Sequence, residues 1–157
     1  MAALVQRWLP SVIDGLEGFV RAAYEPGEGL MGATLDVHLQ CASALLGAFE
    51  LTGRLPYSML AEEILQTARR RWWDTENTFC GGFASICLAV QVCCRLAALH
   101  RDADYSASAG VAVSPTYHED ATRMLALLKP RYLDHRTSAA EYGLALLEWF
   151  PLSPLPN

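Results

Sequence analysis

Positive charge is scarce in this chain and lysine is nearly missing. Lys129 is the sole lysine, and 12 basic residues face 17 acidic ones for a net charge of −5. That balance excludes a general nucleic-acid binder, which presents a basic surface. Charged residues of every kind make up only 18% while hydrophobic ones reach 52%, so disorder is excluded and a large buried core is required. A leader-like N-terminus is also missing, because Arg7, Pro10 and Asp14 interrupt residues 1–16, and no secretory signal is expected. The most apolar stretch, Phe83 to Leu99, holds Gln91 and Arg95 and falls short of the ~20 residues of a bilayer span. It reads as a core helix, and no membrane association is expected.

Paired cysteines are missing too. Cys41, Cys80, Cys87, Cys93 and Cys94 form an odd set without paired spacing, suited to small core residues in a reducing, cytoplasmic compartment. A metal set drawn from His38, Cys41 and Cys80 has no second close His/Cys pair, so neither a metal nor a cofactor is expected. Glycine-rich phosphate loops, Ser/His/Asp arrangements and alternating β-strand patterns are likewise lacking.

What is present is one phrase, twice over. Leu51, Tyr57, Ala61, Ile64 and Leu65 recur as Leu99, Tyr117, Ala121, Met124 and Leu125. In each copy a helix leads into the leucine and the tyrosine opens the next helix. Self-similarity of this kind marks stacked helical hairpins, since one hairpin cannot bury its own apolar face.

Six helices follow from the apolar spacing. The first carries Leu9, Val12, Ile13, Leu16, Phe19, Val20 and Ala23, with Pro10 expected in its first turn. After a loop marked by Pro26, Gly27, Gly29 and Gly32, the second uses Leu35, Leu39, Ala42, Leu46 and Phe49 and ends near Gly53. The third, from about Pro56, turns Ala61, Ile64, Leu65, Ala68 and Trp72 inward and is amphipathic, hence peripheral. The fourth, Phe83 to His100, is apolar nearly all round and is the inner member of its pair. Residues 102–114 read as a mobile or surface loop. The fifth helix opens at Ser114-Pro115 and buries Tyr117, Ala121, Met124, Leu125 and Leu128; the sixth opens with a Ser138-to-Glu141 capping box and places Tyr142, Leu146 and Trp149 on one face. The expected fold is all-α, about three antiparallel helical hairpins in one domain over residues 1–150, with an extended proline-rich tail at 151–157.

The run from Ala44 to Tyr57, with its Leu51-Thr52-Gly53 turn and Tyr57-x-x-x-Ala61 helix start, resembles the (α/α)6 toroid proteins. These include the N-acylglucosamine 2-epimerase group and the six-hairpin glycosidase-like domains associated with thioredoxin-like modules. Trp73-Asp74-Thr75-Glu76 followed by Gly81-Gly82-Phe83 is similar to a loop of those families. The resemblance spans residues 35–149 and implies half of a toroid, because a full one has six hairpins. No motif here matches the catalytic histidines or arginine of the epimerases, so the resemblance transfers no activity. It does imply a homodimer, or a partner, completing the helical array.

In a toroid, rim loops surround a cavity, and aromatic and acidic side chains there suit sugars. Trp73, Asp74 and Glu76, together with Tyr24, Glu28 and His38, are the candidate ligand residues: Trp73 to stack on a sugar face, the carboxylates to accept hydroxyl hydrogen bonds or move protons. The competing interpretation makes them structural: Trp72 and Trp73 closing a helix, Asp74 capping a turn, Glu25 and Glu28 solvated. Arg69-Arg70-Arg71 reads as a solvated helix face. The favoured function is a helical-hairpin domain acting by self-association or by binding a partner or ligand; the alternative is a carbohydrate-active enzyme of epimerase or glycosidase type.

Overall fold

The computed structural model describes residues 2–75, 78–109, 116–134 and 139–153, with side chains from Arg7 onward. Among the described residues the seven α-helices are α1 (Ala2–Ala23), α2 (Leu35–Thr52), α3 (Leu55–Trp72), α4 (Phe83–Arg101), α5 (Ala103–Ala109), α6 (Tyr117–Leu128) and α7 (Ala139–Trp149). The chain is an all-α array of helical hairpins. It departs from this in a ribbon of two antiparallel strands, β1 (Tyr24–Glu25) and β2 (Gly29–Leu30), in the segment expected to be a loop.

Packing follows the expected apolar faces. α2 ends at Gly53, whose left-handed φ of 68° lets its N–H reach the carbonyl of Phe49 at 2.7 Å. Two residues later α3 begins, so α2 and α3 form a tight antiparallel hairpin. α3 buries Tyr57, Ala61, Ile64, Leu65 and Ala68, and α6 buries Tyr117, Ala121, Met124, Leu125 and Leu128, the same faces of the repeated phrase. α2, α4 and α7 make a continuous row, with α3 packed on α2 and α6 on α4. The apolar α4 therefore takes its main neighbours from α2, α6 and α7, and buries Ile86, Cys87, Val90, Cys93, Cys94 and Leu96 among them. At 19 residues and a mean hydropathy of 1.7 it is, among the described residues, the one helix long and apolar enough to cross a membrane, and 56% of that stretch is buried within the protein.

Several boundaries differ from expectation for local reasons. α1 starts at Ala2, so Pro10 lies inside the helix and not in its first turn. Helix formers upstream (Ala2, Ala3, Leu4, Gln6, Arg7) carry the helix past a residue that lacks an N–H. The segment taken as a loop at 102–114 contains α5, nucleated by Asp102, whose carboxylate accepts the N–H groups of Asp104 (2.8 Å) and Tyr105 (3.1 Å). Residues 110–115 and 135–138, with the proposed Ser114 and Ser138 caps, lie outside the described residues, as does 154–157. The tail does not begin extended: Phe150–Leu152 form a 3-10 turn that buries Leu152, whose carbonyl accepts from Arg101 at 2.8 Å.

Candidate functional site

The six candidate ligand residues fall into two groups, and each group is bonded into the fold. In the ribbon, Gly29 sits at φ +73° with its Cα against α3. A Cβ there would lie 2.8 Å from Thr67 Cγ2 and 3.1 Å from His38 Nε2. That close approach lets the Leu30 N–H donate to His38 Nε2 at 3.1 Å, while His38 Nδ1 bonds the Thr34 carbonyl at 2.9 Å. Both ring nitrogens are thus engaged, with Nδ1 carrying the proton, and the ring meets Trp72 edge-on at 5.0 Å. Burial pushes the His38 pKa below its usual value. With both ring nitrogens engaged, the imidazole latches the ribbon to α2.

Glu28 pairs with Arg71 at 2.8 Å, and Glu63 accepts the Gly27 N–H at 3.2 Å while Arg70 donates to the Gly27 carbonyl at 3.0 Å. Burial and the neighbouring Glu63 carboxylate push the Tyr24 phenol up to about 12. Of the three consecutive arginines, Arg70 and Arg71 are exposed, as a solvated face requires, while also bonding the ribbon, and Arg69 pairs with the buried Asp120 at 2.9 Å. Asp120 is held above the ordinary carboxylate range by burial, partly offset by Arg69.

The second group closes the helix end. The Trp73 ring lies under the Arg69 guanidinium (4.5 Å) and against the edge of Phe79 (4.9 Å). Asp74 and Thr78 bond twice, Asp74 N–H to the Thr78 carbonyl at 2.9 Å and Thr78 N–H to Asp74 Oδ1 at 3.1 Å. This is a local turn, with Gly81 tight against Leu35 and Ser85 beyond it. Glu76 lies outside the described residues. Trp73 and Asp74 thus tie the end of α3 to Thr78 and Phe79.

A different place has the geometry of a small polar site. A groove of about 230 Å³ runs across the inner row, lined by Asp36 and Gln40 of α2, Ser85, Leu88 and Gln91 of α4, and Glu141 of α7. It brings two carboxylates, two amides and a hydroxyl from three helices to one face. The signal in the sequence was faint: Ser85 and Gln91 are polar exceptions in an apolar helix. A second groove, about 380 Å³, is mostly apolar and lies between α6 and α7 along Leu125, Tyr142, Leu146 and Trp149. Neither groove is lined by Trp73, Asp74, Tyr24, Glu28 or His38.

The repeated tyrosines explain the phrase that carries them. The Tyr57 hydroxyl bonds Glu17 of α1, and the Tyr117 hydroxyl donates to Glu62 of α3 at 2.8 Å. Glu62 also meets His100 at 3.1 Å, and Gln66 bonds the Tyr117 oxygen. Burial, with the Glu62 carboxylate beside it, raises the Tyr117 phenol pKa. Each tyrosine is a rung tying one outer helix to the previous one. Among the described residues no three His, Cys, Asp or Glu side chains gather in a metal-binding cluster. Cys41 is pushed up to about 11 and Cys94 to about 12 by burial, so these thiols stay protonated at neutral pH.

Fold and site define an all-α helical-hairpin array whose acidic, aromatic and histidine side chains mainly join its helices. Compared with known proteins, no family model matches the chain, no curated protein matches it, and no solved structure matches it.

Proposed function

We propose that this chain is a non-catalytic helical-hairpin domain that works by self-association, as a partial array of the α/α-toroid kind extended by a second copy. The observation that carries this is the apolar surface left at the two ends of the array. α1 exposes Trp8, Val12 and Phe19, and the α7 end exposes Leu144, Leu147 and Phe150. Internal repeats of an array cover such faces with the next hairpin, and end repeats need a cap or a partner. The inner row of α2, α4 and α7 with α3 and α6 packed outside it supports the toroid resemblance. Light scattering behind size exclusion tests the reading: a mass that rises toward two chains with concentration is expected, and a monomer at every concentration up to about 500 µM overturns it.

A second reading is favoured by the groove of Asp36, Gln40, Ser85, Gln91 and Glu141, whose donors and acceptors suit a small polyhydroxylated ligand such as a sugar. A thermal-shift screen of monosaccharides tests it, with stabilisation lost in Asp36→Ala as the expected result.

A further inference from the structure

The long helix α1 has two apolar faces, and only one is used. Ile13, Leu16, Val20 and Ala23 pack against the body of the protein. Trp8, Ser11, Val12, Gly15, Gly18, Phe19 and Ala22 form a second stripe with 3- and 4-residue steps, and all seven are exposed. Trp8 is 61%, Val12 63% and Phe19 44% accessible.

Two features say what covers this stripe. Its large and small residues are arranged palindromically about Gly15. When a second α1 is laid against it antiparallel, Trp8 faces Ala22, Val12 faces Gly18, Phe19 faces Ser11, and Gly15 faces itself. Every large side chain meets a small one, the complementarity that knobs-into-holes packing requires. A palindrome is what an isologous two-fold contact demands, since residue i meets j and j meets i; a different partner would impose no such symmetry. Secondly, a Cβ added at Gly15 or Gly18 would meet nothing within 4 Å. Glycine is a poor residue for a helix interior, and nothing inside the protein calls for it at either position. Close approach of another backbone does.

We propose that two copies of this chain pair through α1, antiparallel, with the two-fold axis passing at Gly15. This rests on the self-association reading and specifies its surface. The stripe from residue 8 to 22 is about 21 Å long and about 10–12 Å wide, giving roughly 210–250 Å² per protomer, less than the ~800 Å² of a standard interface. The dimer is therefore weak. A membrane surface is the less suitable cover: Arg7, Asp14 and Arg21 along one edge give little net charge for anionic lipid, and glycine and serine interrupt the apolar surface.

Sedimentation velocity of the full chain from about 5 to 500 µM, with directed cross-linking, tests this. Gly15→Glu, which sets two carboxylates together at the axis, is expected to weaken dimerisation at least tenfold with unchanged circular dichroism and melting temperature. In a Cys80→Ser background, Gly15→Cys is expected to couple to itself under oxidation. Val12→Cys is expected to couple to Gly18→Cys and not to itself, with Met59→Cys, exposed on α3, as the control. Dimers indifferent to Gly15→Glu, or Val12→Cys coupling to itself as readily as to Gly18→Cys, overturn the pairing while leaving self-association standing. A monomer at all concentrations overturns both. Co-sedimentation of the full chain with phosphatidylcholine/phosphatidylglycerol vesicles, abolished by Gly15→Glu, overturns the pairing in favour of lipid.

Discussion

Replacing His38 by leucine removes the acceptor for the Leu30 N–H while keeping an apolar side chain in place. Leu30 is fully buried, so that donor has no water to turn to, and an unsatisfied buried N–H costs about 1–3 kcal/mol. Loss of the edge-on contact with Trp72 adds about 0.5–1.5 kcal/mol. Together these give roughly 2–4 kcal/mol, or a melting temperature lower by roughly 4–16 °C for a chain of this size. His38→Gln, whose amide oxygen reaches the Nε2 position, should recover about half of this. A pH signature accompanies it. Burial lowers the folded-state pKa below the unfolded value of 6.5, so the unfolded state binds the proton first. Stability from this group is complete above pH 6.5 and is lost as pH falls below it, with a limiting slope of about 1.4 kcal/mol per pH unit. Burial also lowers His118, which contributes with the same sign. Urea unfolding of wild type and both variants between pH 5 and 8 is the assay. A His38→Leu loss under about 0.5 kcal/mol, or an acid slope equal to that of wild type, would refute the latch.

Gly29→Ala should destabilise by more than about 2 kcal/mol in denaturant melts, because a Cβ at φ +73° also strikes Thr67 and His38; a change under about 0.5 kcal/mol would show that the ribbon is not seated on α3. Tyr117→Phe removes the acceptor of Gln66 and the donor to Glu62 in a buried setting, and should lower stability by about 1–3 kcal/mol by the same assay, against at most about 1 kcal/mol for Asp74→Ala at the half-exposed turn. Of the five thiols, Cys80 alone is exposed, so a colorimetric thiol reagent should titrate one per chain in the native state and five in urea. Fast reaction of two or more native thiols would contradict the packing of α4.

The helix faces were legible because each rests on short-range periodicity. Leu35, Leu39, Ala42 and Leu46 sit three or four apart and are all buried, and Gly53 stops α2 by a purely local backbone requirement. The ribbon was not legible, since two-residue strands are too short to show alternation. Nor could the tyrosine rungs be assigned, as Glu17 and Glu62 lie 40 and 55 positions from their tyrosines and nothing local marks them. The candidate residues were singled out for their chemistry, and the competing structural interpretation of Trp73 and Asp74 is the one the bonding supports. That Asp36, Gln40 and Glu141 share a groove was not legible, because it joins three helices far apart in the chain.

The rungs also give the array a polarity. Five residues after Tyr57 stands Glu62, which receives the next tyrosine; five residues after Tyr117 stands Thr122, whose hydroxyl is already taken by the Trp149 indole N–H at 2.8 Å. A fourth hairpin spliced on after α7 would find no carboxylate waiting for its tyrosine. Lengthening this protein by duplication would first require rewriting position 122, and at the opposite end Val12, five residues before Glu17, would have to become the tyrosine that reaches a glutamate on the new hairpin.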